Sequence, residues 1–233
     1  MPKVVIDFFP HSARRYGAGW TVVAVDVFRA TTTACTAVAM GRRCFPAATA
    51  AEARRRAHDI NALLAGELGG ASVDGFDLGN SPADLAARHD VERPVVLLSS
   101  SGTALIRAAS DAGEVYAACL RNTTAQAYRL RRRAAQVALI GAGSRGEVRM
   151  EDELACARVA EALIGWGFTP DLETAAAVTR WSRVPADVCA SGRSAAYLRA
   201  TGQERDIDFV LHRIEDLDRV YVMRSGELVA EES

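Results

Sequence analysis

Lysine is almost missing from this chain of 233 residues: of 28 basic residues only Lys3 is lysine, the rest being arginine. Against 29 acidic residues this leaves a formal net charge of −1, which excludes a bulk electrostatic pull toward nucleic acid or an anionic membrane. Any anionic ligand must be attracted locally. The one dense basic run, Arg129 with Arg131, Arg132 and Arg133, reads as a helix end, where cations suit the dipole. Cysteine is scarce and scattered. Five cysteines with no Cys-x-x-Cys pair and four dispersed histidines exclude a zinc site of short ligand spacing, and the cysteines read as buried thiols. No apolar run approaches the ~20 residues of a membrane helix. Met1 to Tyr16 carries Asp7, Pro10 and His11 and lacks the apolar core of a signal peptide. A cytoplasmic protein with no nucleic-acid or membrane partner is the expectation.

What is present is a globular composition, 49% hydrophobic, able to bury a real core. Apolar β-branched runs at Lys3–Phe8, Thr21–Val27, Pro94–Ser99, Glu114–Ala117 and Gln136–Gly141 predict strands. Between them Thr32–Met40, Ala50–Leu63, Pro82–Arg88, Thr103–Ala112, Thr123–Arg133 and Met150–Gly165 predict helices. Continuous apolar runs alternating with helices predict an α/β fold, a mostly parallel central sheet flanked by helices. The region from Asp171 to Gly202 reads as a helical or irregular surface layer. Val220–Met223 and Glu227–Val229, joined through Ser225-Gly226, read as a small C-terminal hairpin. With no linker or repeat, residues 1–233 are expected to form a single domain.

Polar residues cluster just after the predicted strands, at the edge where open α/β sheets bind ligands. The first cluster is Asp26-Val27-Phe28-Arg29-Ala30-Thr31-Thr32-Thr33. A helix start with free N–H groups, hydroxyls and Arg29 suits a phosphate or sulfonate; the plainer reading is that Thr31 caps the helix and Asp26 pairs with Arg29. The second is Gly66-Glu67-Leu68-Gly69-Gly70 with Gly75-Phe76-Asp77-Leu78-Gly79-Asn80-Ser81-Pro82. Ser81 and Pro82 open a helix, but Glu67, Asp77 and Asn80 among five glycines suggest backbone brought close to a ligand or metal. The third, Ser99-Ser100-Ser101-Gly102-Thr103, resembles an anion-binding turn, and no Gly-x-Ser-x-Gly elbow or nearby His supports a serine hydrolase.

The fourth cluster is Gly141-Ala142-Gly143-Ser144-Arg145-Gly146 followed by Glu151, Asp152 and Glu153. Its Gly-x-Gly-x-x-Gly pattern raises an NAD(P)-dependent oxidoreductase. Against that, it comes late in the chain, stands apart from its helix, lacks a following strand ending in an acid, and places Glu161 mid-helix. Collected, Asp26, Glu67, Asp77, Glu151 and Asp152 are candidate oxygen ligands without Cys or His, a set that suits Mg²⁺. A divalent cation beside an anion cradle is the layout of phosphoryl-transfer chemistry.

These strings, in this order, resemble the 2-phosphosulfolactate phosphatase family, associated with coenzyme M biosynthesis, from about Val4 to Val229. The resemblance implies a Mg²⁺-dependent phosphatase of α/β fold acting on phosphate monoesters of 2-hydroxy acids. Asp26, Arg29 and Glu67 would then be catalytic. Asp26, Glu67 and Asp152 would hold the metal, with Asp77 and Glu151 as substitutes or supports. Thr31, Thr32, Thr33, Asn80, Ser100, Ser101, Gly102 and Thr103 would bind the small anionic substrate. Two positions depart from the family pattern: Leu68 stands where Arg is usual, and Ser101 where Asn is usual before the Gly-Thr turn. Losing an Arg removes a bidentate anion contact. A non-catalytic binder of phosphorylated or sulfonated metabolites is the alternative, and a homodimer is left open.

Overall fold

The computed structural model describes residues 1–233 and shows strands and helices in alternation. The first part runs β1 (Lys3–Phe8), β2 (Thr21–Val25), α1 (Ala30–Ala39), β3 (Cys44–Ala47), α2 (Ala50–Ile60), β4 (Leu63–Leu68) and β5 (Ala71–Ser72). Then come α3 (Pro82–Ala86), β6 (Val95–Leu98), α4 (Gly102–Ala108), β7 (Glu114–Ala118), α5 (Thr123–Arg133), β8 (Gln136–Gly141) and α6 (Met150–Gly165). The last part is β9 (Thr169–Pro170), α7 (Leu172–Trp181), α8 (Arg193–Ala200), α9 (Glu204–Leu211), β10 (Arg219–Arg224) and β11 (Glu227–Glu232).

The α/β architecture expected from the pattern is present. All eleven strands join one sheet in the order β5-β4-β6-β3-β11-β10-β7-β2-β8-β1-β9. Four strands escaped the pattern: the two-residue β5 and β9, and the longer β3 and β4. The Cys44-Phe45-Pro46-Ala47 segment contains a proline, which argues against an inner strand. It is tolerated because β3 pairs with β11 only through Cys44 and Leu228, so Pro46 has no ladder bond to donate on that side. β4 was hidden in the apparent end of α2. That helix stops at Ile60, where Asn61 turns left-handed (φ 51°) as its C-cap and frees Leu63-Leu64-Ala65 to extend beside β6.

The C-terminal hairpin is not peripheral. It sits mid-sheet and joins two parallel sectors, β4-β6-β3 and β7-β2-β8-β1-β9, pairing antiparallel with both. Following strand directions through the hairpin, the two sectors run opposite ways. In a flat sheet, five strand spacings of roughly 4.8 Å would separate β2 from β6 by about 24 Å. Instead the residues that follow them touch: a Cβ placed on Gly102, after β6, would fall 2.4 Å from Asp26 Oδ2, after β2. The sheet therefore folds sharply at the hairpin, where pairing thins to two residue pairs with β7 and one with β3. α1 and α4 fill the fold, α1 packing on β3, β6, β7 and β11 and α4 on β2, β3 and β7. Their buried side chains, among them Cys35, Ala37, Leu105 and Ile106, merge with Val22, Ala24, Leu97 and Tyr221 of the strands into one apolar core. α5, α6 and α7 cover the outer face of the larger sector.

This convergence leaves no room for a side chain at position 102. Gly102→Ala is expected to destabilise the protein by about 1–3 kcal/mol, in the range of core overpacking. Urea unfolding measures it, and an unchanged midpoint would contradict the close approach.

Candidate active site

Where the two sectors meet, a cavity of about 550 Å³ opens, lined by 20 residues of which three are hydrophobic. Asp26 lines it. The strand β2 ends at Val25, and the turn that follows is tied by Thr31, whose Oγ1 accepts from Asp26 N and donates to Asp26 O, both at 2.9 Å. Thr32 Oγ1 donates to Val27 O and Thr33 Oγ1 to Arg29 O. All three threonines are buried, and none lines the cavity. Their hydroxyls hold the turn that carries Asp26, a structural duty in place of the anion-binding one expected.

Arg29 does line the cavity, but it does not pair with Asp26. Its Nη1 donates to Asp206 Oδ2 at 2.6 Å, a buried pair, and to the partly buried Gln203 Oε1 at 2.5 Å. Asp206 Oδ1 in turn accepts from Ser81 Oγ at 2.6 Å and Ala83 N at 3.2 Å, so one buried carboxylate on α9 ties the starts of α1 and α3 together. Beside them Asn80, 3% exposed, lines the cavity with an Oδ1 that has no hydrogen-bond partner. A buried amide without a protein partner is the mark of a group facing a ligand or water.

Glu67, at the end of β4, is bound from several sides. Its Oε1 accepts from Ser100 N at 2.8 Å, and its Oε2 accepts from Gly70 N at 2.7 Å and Ser100 Oγ at 3.2 Å. Ser99 Oγ accepts from Gly102 N at 3.2 Å, while Thr103 Oγ1 donates to Ser99 O. The N–H groups expected to form an anion nest at Ser100–Gly102 are thus satisfied within the protein. Ser99, Ser100 and Ser101 still line the cavity; Gly102 and Thr103 do not. Asp152, in the first turn of α6, accepts from Val27 N at 2.8 Å and Gly143 N at 3.1 Å, clamping the ends of β2 and β8. Glu151 lies behind the lining, 1% exposed, with Oε2 unpartnered. Asp77 is elsewhere: exposed, outside the cavity, and accepting from Leu64 N at 2.8 Å to hold its own loop. Leu68 is 45% exposed and does not reach the cavity either.

The carboxylates are crowded and desolvated. Burial, with the charges of Glu67 and Glu151, pushes Asp26 up to about 7 against the opposing pull of Ala30 N–H and Arg29. Burial and the charges of Asp26 and Glu151 hold Asp152 well above the usual carboxylate range, and burial raises Glu151. Four arginines face them: Arg29, Arg145, Arg149 and Arg193. With Asp26 and Asp152 tending toward neutrality, the cavity favours an anion.

The sequence profile of the 2-phosphosulpholactate phosphatase family matches residues 8–226. The chain belongs to that family. Among its relatives, proteins named as probable 2-phosphosulfolactate phosphatases are 35% identical over 192 residues in Deinococcus radiodurans (79% of this chain, 80% of the relative) and 34% over 197 in Thermus thermophilus (81% of each). One from a Synechococcus strain is 32% identical over 226 residues, covering 93% of this chain and 92% of its own. Membership places the protein among phosphoric monoester hydrolases.

Several lining residues of this family member had no local signal. Arg193, Ser194 and Tyr197 come from α8, in the region read as a surface layer, which forms a wall of the cavity. The glycine pattern Gly141–Gly146 supplies Gly143, Ser144 and Arg145 to that same cavity. A short strand with an acid at its end does follow it, β9 and Asp171, but Asp171 is spent capping Thr174 N at 2.8 Å. Glu161 accepts from Ser182 Oγ.

The Asp26 shift predicts a pH dependence of stability. An ordinary aspartate titrates near 3.8, and the folded-state value is raised, so between about pH 4 and 7 the folded protein holds a proton that the unfolded chain has released. Stability therefore falls as pH rises through that window. In metal-free buffer Asp26→Asn should be the more stable protein at pH 8, by on the order of 2–4 kcal/mol, with the gap closing toward pH 4. Denaturant unfolding at both pH values reads this, and a less stable variant at pH 8 would refute the assignment of strain to Asp26.

Proposed function

We propose that this protein hydrolyses the phosphate monoester of a small 2-hydroxy acid, 2-phosphosulfolactate or a related compound, to the hydroxy acid and inorganic phosphate in a Mg²⁺-dependent reaction. The observation that carries the reading is the cavity at the fold of the sheet, where desolvated carboxylates and arginines share one wall system in a member of a phosphatase family.

The donor set fits Mg²⁺ and not a softer ion. Asp26, Glu67 and Asp152 line the cavity, no Cys or His joins them, and Glu151 Oε2 is a buried oxygen without a partner. No three carboxylates converge into a ready cage. Mg²⁺ needs only one or two carboxylates, completing its shell with water and substrate oxygens. Asp26 is the primary ligand in this reading, with Glu67 and Asp152 beside it and Glu151 in support. When bound, Mg²⁺ would supply charge neutralisation on the phosphoryl oxygens.

The remaining work falls to the protein. Arg29, fixed by Asp206 and Gln203, presents its other nitrogens to the phosphate. The Asn80 amide and the Ser101 hydroxyl, which line the same cavity, add hydrogen bonds that orient the ester. Asp26 orients the attacking water or itself attacks phosphorus; in either route water supplies the oxygen retained by phosphate, and the ester oxygen leaves with a proton as the hydroxy acid.

Phosphate release from 2-phosphosulfolactate and a panel of 2-phospho-hydroxy acids tests this, with Mg²⁺ and with EDTA. Release is expected with Mg²⁺ only, and Asp26→Asn should lower kcat by at least about 10³-fold, the scale of losing a principal transition-state contact. Binding of the esters without phosphate release would favour the non-catalytic reading instead.

A further inference from the structure

Three of the four guanidinium groups in the cavity wall already face a carboxylate. Arg29 is paired with Asp206, and Arg149 and Arg193 share Glu147. Arg145 forms no ion pair. It is nevertheless fixed. Its Nη2 donates to Gly69 O at 3.1 Å, and its guanidinium lies 5.7 Å from the centre of the Tyr197 ring. Tyr197 Oη donates to Gly70 O at 2.6 Å, locking the ring to the same turn. Gly70 admits this contact because a Cβ there would fall 2.6 Å from Tyr197 Oη. Three distant segments, the turn after β4, the loop after β8 and α8, thus meet at one cation.

A guanidinium held at a carbonyl and a ring, with its other N–H groups free toward a cavity, is pre-organised for bidentate binding of an oxyanion. Arg29, Asn80 and Asp26 line the same cavity and are not among the contacts that fix Arg145. We propose that Arg145 is a specificity-determining residue that binds a second anionic group of the substrate, a carboxylate or a sulfonate, and so selects phosphate monoesters bearing such a group over simple alkyl phosphates. This rests on the reading of the cavity as a phosphate-ester site.

The test compares wild type, Arg145→Gln and Arg145→Lys on three esters: 2-phosphosulfolactate, 2-phospholactate and isopropyl phosphate. Arg145 is exposed, so both variants should retain the wild-type melting temperature. Arg145→Gln is expected to raise KM about tenfold for esters with a second anion, leave kcat within twofold, and leave isopropyl phosphate unaffected. Arg145→Lys should fall between, since it keeps the charge and loses the fork. A rise for both acids identifies the carboxylate as the partner; a rise for 2-phosphosulfolactate alone identifies the sulfonate. Equal losses on all three esters, or no loss on any, overturn the proposal. Calorimetric titration with sulfolactate, which carries no phosphate, separates this inference from the proposed reaction. A wild-type protein that releases no phosphate but binds sulfolactate about tenfold more tightly than Arg145→Gln would sink the reaction and keep the subsite. Absent or equal binding would sink the subsite.

Discussion

The burial of Asp26 against Gly102 is the contact on which the rest of the structure depends. It joins the residues that follow β2 and β6, strands five places apart in a sheet whose two parallel sectors run in opposite directions. Such ends meet only because the sheet folds at the hairpin β10–β11, and the hairpin permits the fold because its ladder to either sector is so short. α1 and α4 then fill the interior of the bend. The cavity is the unfilled end of that bend. Its walls come from both sectors and from α8, so its composition is a property of the whole chain and not of any one motif.

Stability and chemistry compete for the same polar groups here. Hydroxyls and N–H groups that look like ligand donors in the sequence are largely occupied in holding loops. Thr31, Thr32 and Thr33 tie the turn after β2, Ser99 caps α4, and Glu67 and Asp152 each clamp two segments. The groups left free include Asn80, the Ser101 hydroxyl, and the unshared nitrogens of Arg29 and Arg145. Rigid loops present them, which is how a site gains pre-organisation from bonds that never touch the ligand. The cost appears in the carboxylates. Asp26, Glu151 and Asp152 are buried near one another, and their raised protonation is an electrostatic strain that the proposed divalent ion would relieve.

Elements with strong local periodicity were legible in the sequence. β1, β8, α5 and α6 lie where continuous apolar runs and helical spacing place them. β3 was masked by Pro46, and β4 by the Ala-rich helix before it, because the deciding facts are a missing partner strand and a left-handed Asn61. The place of the hairpin inside the sheet was not legible, since strand order is set by tertiary packing. At the site, Asp26, Arg29, Glu67, Asn80 and Asp152 were found from polar clusters after strands, and all five line the cavity. Asp77 sat in as suggestive a cluster but serves its own loop. Arg145 was visible only as part of a glycine pattern with another meaning, and Arg193 and Tyr197 belong to a helix with no motif. Their role follows from what the fold carries to the cavity.

The central claim is that the cavity between the two sectors holds a divalent cation at Asp26 with a phosphate ester across it. Crystals grown with Mn²⁺ in place of Mg²⁺ and soaked with inorganic phosphate test it directly, because the anomalous signal of manganese locates the ion without reference to activity. The account predicts one manganese peak beside the Asp26 carboxylate, with phosphate between it and Arg29 and Asn80. A peak elsewhere in the molecule, or phosphate bound in the cavity of a protein that takes up no manganese, would contradict it.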